Sequence, residues 1–446
     1  MVSGETICAL ATAVGQGGVG IVRISGPLAL NIASQVLRRD LEPRYAYYGS
    51  FYDAEGKEID KGVAIYFPNP HSYTGEDVLE LQGHGGMGVM HHLLEVACAL
   101  GARLAEPGEF SKRAFLNGKM DLVQAEAVQD LIQASSSQSV RCAIRSLSGE
   151  FSAKINQLLT ALINLRVFVE ATIDFSDEEI DFLASHEVAE KLDNLACELT
   201  EILECANQGA LLRDGIHVAI AGKPNAGKSS LLNALTERPS AIVTAIAGTT
   251  RDVLKETIHI NGIPLHIIDT AGLHQSEDIV EQEGIRRAHA EIDNADVVLL
   301  VYDAKDGSAD RLILPAEVVN KPTIEIRNKI DLMEEQPRSD NIKDRASISL
   351  SAKSKEGVGL LKRALSDLAG YRPVGDGLVL ARKRHVIAIE STLEFVENAI
   401  TQLEAGASEL VAEDLRQASI SLGSVTGEFG SDDLLGEIFS SFCIGK

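Results

Sequence analysis

Between Gly222 and Ser230 the chain reads GKPNAGKSS, and few nine-residue stretches restrict a fold as strongly. The spacing G-x-x-x-x-G-K-[ST] lets glycine turns aim consecutive backbone N–H groups at a chain of phosphates. It works only where a strand ends and a helix begins. The apolar run IHVAIA precedes it and a helical pattern follows, so an α/β unit with a parallel sheet is expected here. Lys228 would reach the β- and γ-phosphates, and Ser229 would ligate Mg2+. Asn225, Ala226, Gly227 and Ser230 would complete the cradle.

More motifs follow in the order in which such a sheet surrounds a nucleotide. AGTTRD supplies Thr249 and Thr250, one of which should hold Mg2+ when the triphosphate is bound. Thr244, Ala245, Ile246, Ala247 and Gly248 lead into it. Asp269 ends the strand pattern IPLHIID, where a Mg2+-linked acid belongs. Thr270, Ala271 and Gly272 come next, and the Gly272 N–H can donate to the γ-phosphate. NKID places Asn328, Lys329 and Asp331 after PTIEIR. The Asp331 carboxylate can accept from both the ring N–H and the amino group of guanine, a pair that adenine lacks. Such a site discriminates by roughly 10⁴–10⁵. Ser351, Ala352 and Lys353 (SAK) would close over the base. The ordered series points to a GTP hydrolase.

One position breaks the Ras-type pattern. DTAGLH carries Leu273 where a Gln would orient the attacking water. An apolar side chain cannot do this, so another group and another cation are needed. The side-chain oxygen of Asn225 could ligate a monovalent cation, joined by backbone carbonyls of Thr244 and Ile246. Glu281, in DIVEQEG, could orient water directly or through a second water. Plain readings also fit: a turn residue for Asn225 and a carboxylate at a helix start for Glu281. His274 and Gln275 are rivals for the water. Arg251 could act as a finger in cis or pair with a neighbouring acid such as Asp252.

The remaining sequence sets the frame. With 446 residues, two or three domains are expected. A formal net charge of −24 argues against strong unaided binding to a nucleic-acid backbone, though a partner could carry the positive face. Six scattered cysteines without a CxxC pair argue against a zinc site or a disulfide framework, and for a reducing compartment. No signal peptide or membrane span is evident, so a cytoplasmic location is expected. Residues 1–118 mix short β-like runs (GVGIVRIS, KGVAIYF) with turn signals, which suggests a compact α+β domain. From 119 the texture is helical; INQLLTALINL has apolar residues at 155, 158, 159, 162 and 163. Strand–helix alternation starts near Gly215, and helical texture returns after YRPVGDG. The expected domains are 1–118, a helical part over 119–212, an inserted G domain over 213–373, and a second helical part over 374–446.

The chain closely resembles the MnmE (TrmE) family of tRNA-modifying GTPases over essentially its full length. Beyond the nucleotide motifs, the resemblance is carried by GQGGVGIVRISG, SYTGEDVLELQGHGG, EPGEFSKRAFLNGKMDL and TGEFGSDDLLGEIFSSFCIGK. It implies a multidomain α/β fold: a P-loop, Ras-like G domain inserted into an α-helical domain, preceded by an N-terminal α+β folate-binding domain. It implies a homodimer held by the N-terminal domains, whose G domains meet when GTP and K+ are bound. K+ would be held by Asn225, Thr244, Ile246 and Thr249, and Mg2+ by Ser229 and Thr250. Catalytic roles fall on Glu281, which positions water, and on Asn225 and Lys228.

The same resemblance implies an aminomethyl or carboxymethylaminomethyl group added at C5 of the wobble uridine of certain tRNAs. The flavin- and NADH-dependent partner MnmG (GidA) shares the reaction, and tRNA is bound through the complex. A 5-formyl- or 5,10-methylene-tetrahydrofolate would be contacted by Arg23, Glu80, Lys119 and Lys446; cations suit its carboxylates, and Glu80 suits pterin N–H donors. Cys443, in FCIGK, falls near that pocket as a possible participant in the modification step, with a reactivity that depends on its local environment. Gln16 and Gly83 depart from residues common in relatives, Arg and Cys. Two other classes compete: a GTP-dependent binding switch in ribosome or RNA assembly, and a folate-dependent enzyme that uses the G domain for regulation. An esterase reading of GHGG fails for want of a GxSxG elbow.

Overall fold

A computed structural model describes residues 4–174, 181–223, 225–236, 255–269, 295–305, 321–342, 345–370, 378–428 and 432–445. The chain separates into two compact units, each assembled from several stretches. One takes residues up to 133 with 143–201 and 387–446; the other takes 134–142 and 202–386.

The first unit contains a six-stranded sheet. Its strands are β1 (Ile7–Leu10), β2 (Gly17–Ser25), β3 (Tyr47–Tyr52), β4 (Glu58–Phe67), β5 (Val78–Gly85) and β6 (Arg103–Leu104), in the spatial order β3-β4-β5-β2-β1-β6. Alternation along β2 and β5 decides what each face carries. Val22, Ile24, Leu79 and Leu81 point to one face, into a core with Ile32 and Val36 of α1 (Ala29–Leu37) and Met90 and Leu93 of α2 (Met87–Ala99). Arg23 and Glu80 lie opposite each other in register, so they share the other face. There Ile7 and Ala9 of β1 meet Ala105, Phe110 and Tyr73.

Helices α3 (Glu109–Leu116), α4 (Leu122–Gln133), α5 (Ser137–Leu147), α6 (Glu150–Asp174) and α7 (Asp181–Asp214) follow the sheet. In α6 the helical spacing buries Ile155, Leu158, Leu159 and Leu162, and Ile163 is half-buried.

The second unit contains a seven-stranded sheet. Its strands are β7 (Ile216–Gly222), β8 (Lys255–Ile260), β9 (Ile263–Asp269), β10 (Val297–Asp303), β11 (Thr323–Asn328), β12 (Arg338–Ile342) and β13 (Arg345–Ser349). The order is β12-β13-β11-β10-β7-β9-β8, parallel from β13 to β9 with an antiparallel strand at each edge. Helices α8 (Lys228–Leu235) and α9 (Val358–Leu368) pack on its aliphatic core. The β8–β9 turn, Asn261–Gly262, is grasped by the 134–142 stretch. The Ser135 hydroxyl meets His259 Nε2 at 2.7 Å, Ser136 donates to the Gly262 carbonyl at 3.4 Å, and the Gln138 side chain lies against Gly262.

The chain re-enters the first unit along α10 (Lys383–Glu404), then forms α11 (Ser408–Thr426) and α12 (Asp432–Ser440). Helix α11 packs along α6. Leu435, Ile438, Phe439 and Phe442 fill a core with Leu122 and Ala125.

Candidate functional site

The phosphate loop follows β7, whose Val218 and Ile220 are fully buried and fix the strand end. Asn225 is left-handed (φ +62°), and Gly227 starts α8 at φ +94°. A Cβ at Gly227 would stand 2.3 Å from Asn328 Nδ2, so the loop closes only around a glycine here. The Lys228 ammonium arches back over the loop and donates to the carbonyls of Gly222 at 2.7 Å and Lys223 at 3.1 Å. Ser229 and Ser230 are exposed in the first turn of α8.

Asn328 ties the loops together. It is 1% exposed. Its Nδ2 donates to the Ala226 carbonyl at 2.9 Å, while its Oδ1 accepts from the backbone N–H of Lys329 at 2.8 Å and of Ala352 at 3.0 Å. One amide therefore joins the phosphate loop, NKID and SAK. Lys329 Nζ donates to the Asn225 carbonyl at 2.6 Å and to Asp303 Oδ2 at 2.7 Å. The buried Ser351 hydroxyl donates to Asp331 Oδ1 at 2.7 Å, and the exposed Asp331 carboxylate keeps an edge toward solvent. Lys353 is exposed beside it. Asp303 is held below its ordinary carboxylate range: the Lys305 N–H and the Lys329 ammonium outweigh the opposing effect of burial.

Among the expected nucleotide residues, the structure brings together Asn225, Ala226, Gly227, Lys228, Asn328, Lys329, Asp331, Ser351 and Ala352. Asp269 ends β9 in register with Ile220 of β7, which sets its backbone beside the start of the loop. The Asp269 side chain lies outside the described residues. So do Thr244, Ala245, Ile246, Ala247, Gly248, Thr249, Thr250, Arg251, Thr270, Ala271, Gly272, His274, Gln275 and Glu281.

A second constellation lies on the β2–β5 face of the first unit. Arg23 Nε donates to Glu80 Oε1 at 3.0 Å, and the Arg23 guanidinium stands 5.2 Å from the Tyr73 ring centre and 5.8 Å from that of Phe110. The Tyr73 hydroxyl is fixed by Ser111 Oγ at 2.8 Å. Arg23 also donates to the Gly445 carbonyl at 3.4 Å, so the end of the chain lies across β1 against this pair. Lys119 Nζ donates to the Pro70 carbonyl at 3.0 Å, and its stem lies against Gly75, in the loop that carries Tyr73. Cys443 is exposed, and its carbonyl accepts from the Gly108 N–H at 3.4 Å. Lys446 lies outside the described residues.

Sequence reading missed Asp303, Tyr73 and Phe110. Asp303 carried a signal: it closes the run DVVLLVYD, and the carboxyl ends of parallel strands are where an open α/β sheet binds ligands. The two rings carried none, because only the fold brings them against Arg23.

Residues 122–443 match the family model of the MnmE helical domain, and residues 6–119 that of the GTP-binding protein TrmE N-terminus. The tRNA modification GTPase MnmE of Ruthia magnifica subsp. Calyptogena magnifica is 60% identical over 444 residues, covering 100% of this chain and 99% of its own. That of Hydrogenovibrio crunogenus is 55% identical over 445 residues, covering 99% of each. Among solved structures, the FeoB G domain from Methanococcus jannaschii matches 35% of this chain and 98% of its own, at 25% identity and a TM-score of 0.27. Two family models that between them span most of the chain, and relatives matched from end to end, agree on one assignment: this chain belongs to the MnmE (TrmE) family of tRNA modification GTPases.

Proposed function

We propose that the protein is a potassium-stimulated GTP hydrolase that acts, as a homodimer and with an MnmG-type flavoprotein, in building an aminomethyl or carboxymethylaminomethyl group at C5 of the wobble uridine of tRNA. The observation that carries the nucleotide part is the Asn328–Lys329 junction, which binds two successive phosphate-loop carbonyls while Asp331 keeps a carboxylate edge outward. Asp331 selects guanine by accepting two N–H groups. Lys228 and the loop N–H groups hold the phosphates, and Ser229 with Thr250 would hold Mg2+. Asn225 suits a cation ligand because its carboxamide is exposed and hydrogen-bonds to no described residue. Thr244, Ile246 and Thr249 would complete that shell. Bound K+ supplies positive charge beside the phosphates where an arginine finger acts in other GTPases. Glu281 positions the attacking water, which accounts for Leu273 standing where a Gln serves elsewhere.

The Arg23–Glu80 pair supports a folate site. The pair is lined by aromatic rings, the carboxylate suits pterin N–H donors, and the guanidinium suits a carboxylate tail. Lys119, Lys446 and Cys443 would complete it, and a bound tetrahydrofolate supplies the one-carbon unit. Domains at 1–118, 119–212, 213–373 and 374–446 and a cytoplasmic location complete the reading. No helix among the described residues is long and apolar enough to cross a membrane.

The test is GTP hydrolysis in KCl against NaCl at equal ionic strength, for the wild type and Glu281→Ala. Strong activation by K+ that the variant loses is the expected result. Equal rates in the two salts would overturn the potassium reading and return the water to His274, Gln275 or an activating protein.

A further inference from the structure

Asn225 and Lys329 are in direct contact at the phosphate loop, and both are left-handed, at φ +62° and +67°. A non-glycine residue there stores backbone strain and must be held by its surroundings. Two consecutive side chains hold two consecutive carbonyls: Lys329 Nζ bonds the Asn225 carbonyl at 2.6 Å, and Asn328 Nδ2 bonds that of Ala226 at 2.9 Å. The Lys329 bond fixes the peptide that follows Asn225, and this together with the left-handed φ of Asn225 sets the direction of its Cα–Cβ bond; Asn225 is exposed.

The Lys329 ammonium has a long, flexible stem, so something must aim it. Asp303 does. Its Oδ2 accepts from Lys329 Nζ at 2.7 Å, and its Oδ1 is pinned by the Lys305 N–H at 3.0 Å. The carboxylate cannot swing away without giving up that second bond. The Lys329 ammonium thus bridges Asp303 at the end of β10 and the Asn225 carbonyl of the phosphate loop, with the Asp303 carboxylate as its charged partner.

We infer that Asp303 is a positioning residue for Asn225: acting through Lys329, it sets the aim of the Asn225 carboxamide and with it the response of the site to a monovalent cation. This rests on the reading of Asn225 as a potassium ligand. A merely structural role for Asp303 would weaken nucleotide binding in any salt. A positioning role would shift the potassium dependence alone.

The test uses the full chain and Asp303→Asn, with GDP and aluminium fluoride bound. KCl replaces NaCl stepwise at constant ionic strength, and the melting temperature reports cation binding. A fluorescent GDP analogue, titrated in NaCl, reports nucleotide affinity. The half-saturating potassium concentration should rise about tenfold in Asp303→Asn, the scale of one charge-assisted hydrogen bond, while nucleotide affinity stays within about twofold. Asp303→Ser serves the same test if Asp303→Asn does not fold. An unchanged half-saturation overturns the inference, and so does a parallel loss of nucleotide affinity. If the wild type itself does not distinguish KCl from NaCl, the potassium reading has failed first, which the variant is not needed to show.

Discussion

Among the described residues, Arg113 is the largest fully buried side chain, 2% exposed, and it is charged. One nitrogen donates to both Glu76 oxygens at 3.0 and 3.2 Å and to the Glu5 carbonyl at 2.8 Å; the other donates to Glu109 Oε1 at 2.9 Å. Replacing it in Arg113→Met strips the shared cation from two carboxylates. Glu109 keeps Arg103 at 2.7 and 2.8 Å, so the loss falls mainly on Glu76, which keeps only the Ser25 hydroxyl at 2.7 Å among its close donors. An uncompensated buried charge costs about 3–5 kcal/mol, and the retained Arg103 places the expected cost near the lower end. Adding Glu76→Gln to Arg113→Met removes the stranded charge and should recover about half of that.

The chain has no Trp, so hydrogen exchange of the β2 and β5 amides is the better local reporter. Unchanged exchange in Arg113→Met, or no recovery in the double variant, would refute the account. Acid gives an independent reading. The Glu109 carboxyl sits at about 2 instead of 4.5, held down by Arg103, Arg113 and the Glu106 N–H against the opposing effect of burial. Its folded value is depressed, so its contribution, about 3 kcal/mol, is complete above pH 4.5 and fades as the pH falls toward 2. Arg113→Met should flatten that acid limb.

Gly227→Ala should lower GDP affinity by at least about tenfold, because its Cβ would meet Asn328 Nδ2 at 2.3 Å; a fluorescent-GDP titration with unchanged affinity would contradict this. Asp331→Asn should cost GTP about a hundredfold in affinity or more and favour the xanthine nucleotide, whose ring carbonyl accepts from an amide; retained GTP preference in competition binding would remove Asp331 from base recognition. With a net charge of −24, the isolated protein should bind tRNA weakly at physiological salt. Tight binding that persists as salt is raised, in a filter or mobility assay, would show that a partner is not needed for affinity.

The nucleotide motifs were legible because phosphate and guanine chemistry fix residue type and spacing together. The central strands β7, β9, β10 and β11 were legible as apolar runs, since both of their faces are covered. The edge strands were not: β8 reads KETIHI and β12 reads RSDNI, with polar residues where a strand borders solvent. The grouping of 134–142 with the second unit was also invisible. It rests on Ser135 and Gln138 meeting a turn more than a hundred residues away, and single polar contacts leave no periodicity. Arg23 and Glu80 are singled out only by the family resemblance; on their own they read as surface charges. Only the pairing of β2 with β5 shows why they meet.

The contact between Arg23 and the Gly445 carbonyl joins residues 422 positions apart. Ribosomes add about 5–20 residues per second, so the two partners are made roughly twenty to eighty-five seconds apart. In that interval the N-terminal sheet can pair its strands and bury its aliphatic face, but Arg23 lacks its Gly445 contact. The second unit, complete once residue 386 has emerged, can finish first although it begins later in the chain. The surroundings of Arg23, near the start of the sequence, are therefore among the last parts to close, and a nascent chain could complete its nucleotide-binding unit before its Arg23–Glu80 face.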